Sequence, residues 1–272
     1  MMMTNYQRFE FSSPLTAEQK EYFEEYGFLH FKGFIDSDRV ALFRDEMRSI
    51  EERWIAAQVE KINGVPIKYG TDVDGRPIVQ RFAFSSQYSK TLSDFLNNSR
   101  LHALFPLLGS QAENPRIGEN EKDGLVINHY INASGSNFSK MGWHTDCLRD
   151  VFYGKKIQPM LNVGVHLTDA LPDQSGLRLI PGTHKQNTVS LLTRKLYFFD
   201  HKPDKNEIGL QTKAGDLTVH DGRLWHRVAK SSVVGEQSRR QVMYIPIISG
   251  AYAIKNENSP TLFYQRFQKL VR

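Results

Sequence analysis

The chain has 272 residues, 40% of them apolar and 11% aromatic, which supplies a full hydrophobic core and excludes a disordered protein. Its formal net charge of +5 comes with no basic run or recognition motif, so it describes a solvated basic surface rather than a nucleic-acid partner. A single cysteine, Cys147, excludes a disulfide framework and any multi-cysteine zinc site, and no segment has the apolar length needed to span a bilayer.

The segment Met1 to Phe11 is polar and lacks the apolar region of a secretory signal, so a cytoplasmic protein is expected. The sequons at Asn97, Asn132 and Asn137 then read as chance matches. Thr16-Ala17-Glu18-Gln19 reads as a capping box, and Gly27 as the stop of a short helix through Tyr26. Phe28 to Phe34 is a short strand-like run. Asp36-Ser37-Asp38 offers capping side chains, and Val40, Phe43, Met47, Ile50 and Trp54 follow at helical spacing on one core-packing face. Turn formers make Gly64 to Phe84 loops and a hairpin. Short helices are expected over Thr91 to Asn97 and, through Leu101, Leu104, Leu107 and Leu108, up to Gly109.

From Leu125 the texture changes to short strands between turns. One strand puts Val126, Asn128, Tyr130 and Asn132 on one face and Ile127, His129 and Ile131 on the other. Others are expected over Met160 to Leu167, Leu177 to Ile180, Asp216 to His220, Leu224 to Val228 and Gln241 to Ile248, with a turn over Pro172 to Gly176. The expected organisation is one domain over 1–272: a mainly helical part over 1–124, a β core over 125–250 and a tail over 251–272.

Within that core, Trp143-His144-Thr145-Asp146 places an imidazole and a carboxylate on the same side of an extended segment. A third histidine brought in by the fold would complete a 2-His-1-carboxylate set with open positions, the pattern of non-heme Fe(II) oxygenases. Of the nine histidines, His30, His102 and His201 read as surface or packing residues, and His166 as a core residue in mid-sheet. His220 and His226 both lie near the C-terminal strands, and only His226 is followed at short range by Arg239-Arg240. A 2-oxo acid needs one such cation for its distal carboxylate, which arginine binds with two parallel hydrogen bonds.

These segments, taken together, resemble the phytanoyl-CoA dioxygenase family, its ectoine hydroxylases most readably. The likeness runs in order through Leu15 to Gln19 with Tyr26-Gly27-Phe28 and Phe31 to Phe34, then the His-x-Asp segment. It continues through Asn162 to Asp169, Gln174 to Lys185 with its Pro-Gly-Thr-His turn, and Gly215 to His226 with the arginine pair beyond. The resemblance implies a mainly β fold with α, a double-stranded β-helix (jelly roll, cupin-like) with N-terminal helices packed against it. It implies Fe(II) on His144, Asp146 and His226, with 2-oxoglutarate and O2 as cosubstrates. Arg239 matches the carboxylate clamp and Arg240 is the alternative, since strand alternation lets only one face the iron. Asn132 matches a polar position beside the cosubstrate, and Asn128 shares its face. Where ectoine hydroxylases carry a hydroxyl residue, this chain has Gly164.

The implied activity is hydroxylation of an unactivated C–H bond of a small-molecule substrate, with release of succinate and CO2. Asp146 argues against the halogenating variant, in which a small residue leaves room for chloride. Arg76, Arg81, Arg149 and Arg178, and the Lys68 to Phe84 stretch, are the cations available to an anionic substrate. Neither nucleic acid nor membrane is expected as a partner. The competing reading is a non-oxygenase metal-binding jelly roll, a cupin-like isomerase or binding protein, which has no need of the arginine. Cys147 reads as a small packing residue.

Overall fold

The computed structural model describes residues 6–151, 156–170 and 176–261. The turn read over Pro172 to Ser175 lies outside them, as does the side chain of Arg149. Helix α1 (Ala17–Tyr26) has the reciprocal cap expected of Thr16 and Gln19, and Gly27 ends it at φ 80°, a left-handed conformation that glycine adopts without Cβ strain. Strand β1 (Phe28–Phe31) follows. Asp36 caps α2 (Ser37–Ala56) by accepting from the Arg39 amide, and the buried residues of α2 are Val40, Phe43, Met47, Ile50 and Trp54.

The hairpin is β2 (Lys68–Thr71) and β3 (Pro77–Phe82), followed by α3 (Lys90–Leu96). The stretch before Gly109 is two short pieces, Ser99–His102 and Phe105–Leu108, rather than one helix. Pro106 has no amide to donate and its ring crowds the preceding turn, so the helix cannot run through it. The remaining strands are β4 (Val126–Asn132), β5 (Met141–His144), β6 (Met160–His166), β7 (Gly176–Leu179), β8 (Leu217–Asp221), β9 (His226–Ala229) and β10 (Gly235–Ile248).

They form two antiparallel sheets. The larger runs β1-β8-β6-β10-β4-β3-β2, with the short strand Arg116–Ile117 also paired to β10, so the N-terminal part supplies four of its strands as well as helices. The smaller places β9 between β7 and β5, with Ile208–Gly209 at its other edge. Alternation gives the large sheet two unlike faces. Leu161, Val163, Val165, Val219, Met243 and Ile245 join the α2 stripe in one apolar cluster, each such burial contributing about 1.5–3 kcal/mol. Asn162, Gly164, His166, Thr218, His220 and Arg240 take the opposite parity, toward the small sheet. This is the jelly-roll core with helices packed on its outer face, its sheets antiparallel and open-edged. No helix among the described residues is long and apolar enough to cross a membrane.

Candidate metal centre

His144 ends β5 and His226 opens β9, and the two are direct partners across the strand pair, with ring centroids 4.1 Å apart. Each ring is fixed from behind: His144 Nδ1 lies 2.7 Å from the Gly142 carbonyl and His226 Nδ1 lies 2.9 Å from the Leu224 carbonyl. A carbonyl only accepts, so each Nδ1 carries the proton and each Nε2 presents a lone pair inward. Asp146, just past the end of β5, completes the group, with one ligand atom from each residue within 4.8 Å of the others.

The carboxylate is also held. Asn162 Nδ2 donates to Asp146 Oδ2 at 2.9 Å, and His220 Nε2 stands 3.2 Å from the same oxygen. Burial opposes ionisation of Asp146, but His226, His220 and His144 outweigh it and hold the carboxyl well below its usual range. Burial, reinforced by the neighbouring imidazoles, pushes His226 well below the usual histidine range, so it is neutral and able to ligate. Two imidazoles that present Nε2 and one ionised carboxylate on one side of a point suit a divalent cation with positions left open.

The group opens on a cavity of about 210 Å³ lined from both sheets. Beyond it in the large sheet lies Arg240, 1% exposed, its guanidinium 4.5 Å from the Tyr130 ring centroid. Among the described residues its three guanidinium nitrogens make no hydrogen bond of good geometry, and the Tyr244 hydroxyl is a neighbour that interacts with it. A fully buried cation with no carboxylate partner costs several kcal/mol, and its fork has the geometry to take a carboxylate. Arg239, the residue the sequence favoured, faces the other way. It takes both Glu236 oxygens at 2.6 Å, contacts His129 and lies under α2 beside Arg44 and Glu51. The register decides this: Tyr130 pairs with Arg240, which puts Arg240, Val242 and Tyr244 on the cavity face.

Over residues 23–240 the chain matches the family described as Phytanoyl-CoA dioxygenase (PhyH). It belongs to that family. No curated protein matches it by sequence. Solved structures share its fold: the non-heme alpha ketoglutarate dependent epimerase SnoN from nogalamycin biosynthesis aligns with TM-score 0.63 and 18% identity over 91% of this chain and 87% of its own. The carbocyclase SnoK from the same biosynthesis gives 0.62 and 14% over 89% and 87%. EctD from S. alaskensis with 2-oxoglutarate and 5-hydroxyectoine gives 0.62 and 14% over 97% and 86%. The triad and the buried Arg240 fork fit the iron and 2-oxoglutarate that the phytanoyl-CoA dioxygenase family implies.

Other expected positions divide. Asn128 lines the cavity and bonds the Tyr130 hydroxyl at 3.0 Å. Asn132 does not line it: its Nδ2 donates to the Ser231 and Val233 carbonyls at 3.0 Å, tying down the loop between β9 and β10. At Gly164 a Cβ would lie 2.9 Å from Thr218 Oγ1 and 3.1 Å from the Tyr244 ring, so hydroxyl side chains on the flanking strands fill the space of the missing one. His166 is a core residue bonded to Thr218 Oγ1 at 3.0 Å, whereas half-buried His201 lines the cavity. Arg178 sits on β7 away from the cavity, and Arg76 is exposed. The Cys147 thiol is buried, which pushes it up to about 12 and leaves it inert.

Asn162, Thr218 and Tyr244 are residues at or beside the site that the sequence reading did not single out, and His220, weighed there as a ligand, instead holds Asp146. The available signal was parity: Asn162 and Gly164 alternate on β6, and Thr218 and His220 on β8, in register across the pair.

Proposed function

We propose that the protein is an Fe(II)- and 2-oxoglutarate-dependent oxygenase that hydroxylates an unactivated C–H bond of a small molecule. The observation that carries this reading is the pairing of an open-sided 2-His-1-carboxylate group with a buried Arg240 that has no carboxylate partner among the described residues and lies over Tyr130, a residue of the same cavity. His144, Asp146 and His226 would hold the metal, and Arg240 the far carboxylate of 2-oxoglutarate. Iron with 2-oxoglutarate supplies O2 activation, with release of succinate and CO2.

The chain's own contribution is geometric. The Gly142 and Leu224 carbonyls set the imidazole tautomers, and Asn162 and His220 fix the rotamer of Asp146. Met141, Phe198 and Val228 wall the cavity with apolar surface that keeps water from the reacting position. Asp146 occupies the coordination site that a halide would need, which favours hydroxylation over halogenation. The named neighbours include an epimerase and a carbocyclase, so the outcome in this fold depends on how the substrate lies.

The test is an anaerobic titration with Fe(II) and 2-oxoglutarate, following the visible metal-to-ligand charge-transfer band, with Arg240→Leu and Arg239→Leu in parallel. A band that weakens only in Arg240→Leu supports the reading. No band, with tight Zn(II) binding instead, replaces it with a non-oxygenase metal-binding jelly roll.

A further inference from the structure

The mouth of the cavity carries charge that the metal chemistry does not use. Lys68 on β2 and Arg81 on β3 are register partners, and both line the cavity. Lys68 is half-buried, with its ammonium 4.5 Å from the Phe138 ring centroid, and no carboxylate lies within ion-pair distance of it among the described residues. Arg81 gives Nη2 to Asp123 at 2.8 Å, and Asp123 also takes Lys255 at 3.1 Å. The other terminal nitrogen of Arg81, Nη1, is buried and has no hydrogen-bond partner among the described residues. Burial, then the charge of Arg81, brings the Lys68 ammonium down to about 8. A chain does not hold two cations side by side in a half-closed cavity without cost, and an incoming oxyanion would relieve it.

We infer that Lys68 and Arg81 form a binding site for the oxyanion of the substrate, a carboxylate or a phosphate group, with the Phe138 ring beneath it. That the anion belongs to the substrate rests on the oxygenase reading above; the anion site itself does not. Arg240 would serve a carboxylate from the central strand β10, whereas Arg81 and Lys68 lie two and three strands away from it, on β3 and the edge strand β2. Arg81 is three strands and Lys68 four from Asn162, which touches Asp146. At the usual strand spacing this is roughly 15–20 Å between backbones, which the long Lys68 and Arg81 side chains shorten. The substrate class is therefore an elongated acid or phosphate ester, anchored by its charged end at Lys68 and Arg81. Its apolar part runs along Ile67, Met141 and Phe198 toward the metal.

The experiment is calorimetric titration with two probes, acetate and inorganic sulfate, the latter a phosphate mimic. Each is titrated into the anaerobic Fe(II)·2-oxoglutarate complex, in which Arg240 is occupied, and into the metal-free chain. One probe is expected to bind, with affinity reduced about tenfold or more in Lys68→Met and in Arg81→Met, as loss of a charged hydrogen bond implies. Lys68→Arg should restore it, which rules out misfolding as the cause. Tighter acetate names a carboxylate substrate, and tighter sulfate a phosphate ester. Equal affinities in native protein and both Met variants, or no binding to native protein, overturn the inference. So does a charge-transfer band that Lys68→Met weakens as much as Arg240→Leu does, because the cations would then serve the cosubstrate. If the native protein forms no band but binds the probe at Lys68, the oxygenase reading fails and the anion site stands.

Discussion

His220 and Asn162 face each other across β8 and β6 and both point at one oxygen of Asp146, at 3.2 and 2.9 Å. Neither belongs to the candidate ligand group, yet together they hold Oδ2, which stands 3.8 Å from His226 Nε2, and so fix the carboxylate beside the imidazoles. Groups that orient a ligand in this way typically matter 10–100-fold in metal affinity. His220→Ala and Asn162→Ala should each weaken Fe(II) binding by about 10–100-fold while leaving the thermal midpoint of the metal-free protein within a few degrees. An Fe(II) titration of either variant that matches the native protein would remove His220 and Asn162 from the site.

Removing a ligand itself should be more severe. Asp146→Ala leaves two imidazoles and no negative charge against the cation, and His144→Ala or His226→Ala breaks the facing pair. Each should abolish the charge-transfer band and essentially all substrate-dependent succinate release. Ordinary turnover in any of the three contradicts the assignment of the metal site. Asp146→Gly opens a position to halide, but nothing else around it changes to direct halide transfer, so halogenated product is not expected.

The arginine pair gives a sharper contrast, because the two residues are adjacent in sequence and opposite in placement. Arg240→Leu should raise the 2-oxoglutarate concentration needed for the band by about tenfold or more, the scale of a lost bidentate charged pair. Arg239→Leu leaves the cavity untouched and should change it less than about twofold, since its partners Glu236 and His129 lie beneath α2. Equal effects would mean that neither arginine is a specific clamp.

Which parts could be read in advance follows from how local each signal is. The α2 stripe and the Thr16 cap depend on spacings of three and four residues, and both are in place. His144 and Asp146 are two residues apart, so extended backbone alone brings them near one another. The choice between Arg239 and Arg240 was set by the pairing of β10 with β4, a register that the loop before it does not reveal. Asn132 is placed away from the cavity for a related reason: it has the parity of Asn128 but stands at the end of β4, where it bonds the Ser231 carbonyl. Asp146 meets Asn162 and His220 across 16 and 74 residues, and no short-range pattern encodes those meetings.

Core packing can be tested apart from the site. Phe43 on α2 is 0% exposed and meets Phe95 of α3 edge-on, with centroids 4.9 Å apart. Phe43→Ala should destabilise the fold by about 3–5 kcal/mol, through lost transfer free energy and the void left behind. Because this contact lies on the outer face of the large sheet, the band formed by the folded fraction should keep its native position. A shifted band would mean that α2 packing reaches the metal.

Glu51 offers a pH test on that same outer face. Burial raises its carboxyl from 4.5 to about 7, against the opposing Val79 amide and the charge of Arg239, with Asp72 and Glu52 adding to the rise. Arg44, Arg48, His129 and Glu236 line the same recess. Between pH 4.5 and about 7 the folded chain keeps a proton that the unfolded chain has released, so stability falls as pH rises through this window. Glu51→Gln retains an acceptor for Val79, which now donates to the carboxylate at 2.7 Å, and carries no charge to desolvate. Discounted for partial solvent contact, the variant should be more stable than the native protein by about 1–2 kcal/mol at pH 8. At pH 4 the two should differ by less than about 0.5 kcal/mol, because both side chains are then neutral. Urea unfolding at the two pH values measures the difference directly. A Glu51→Gln effect that is the same at both would show that the Glu51 carboxylate is ionised and well accommodated in the folded state.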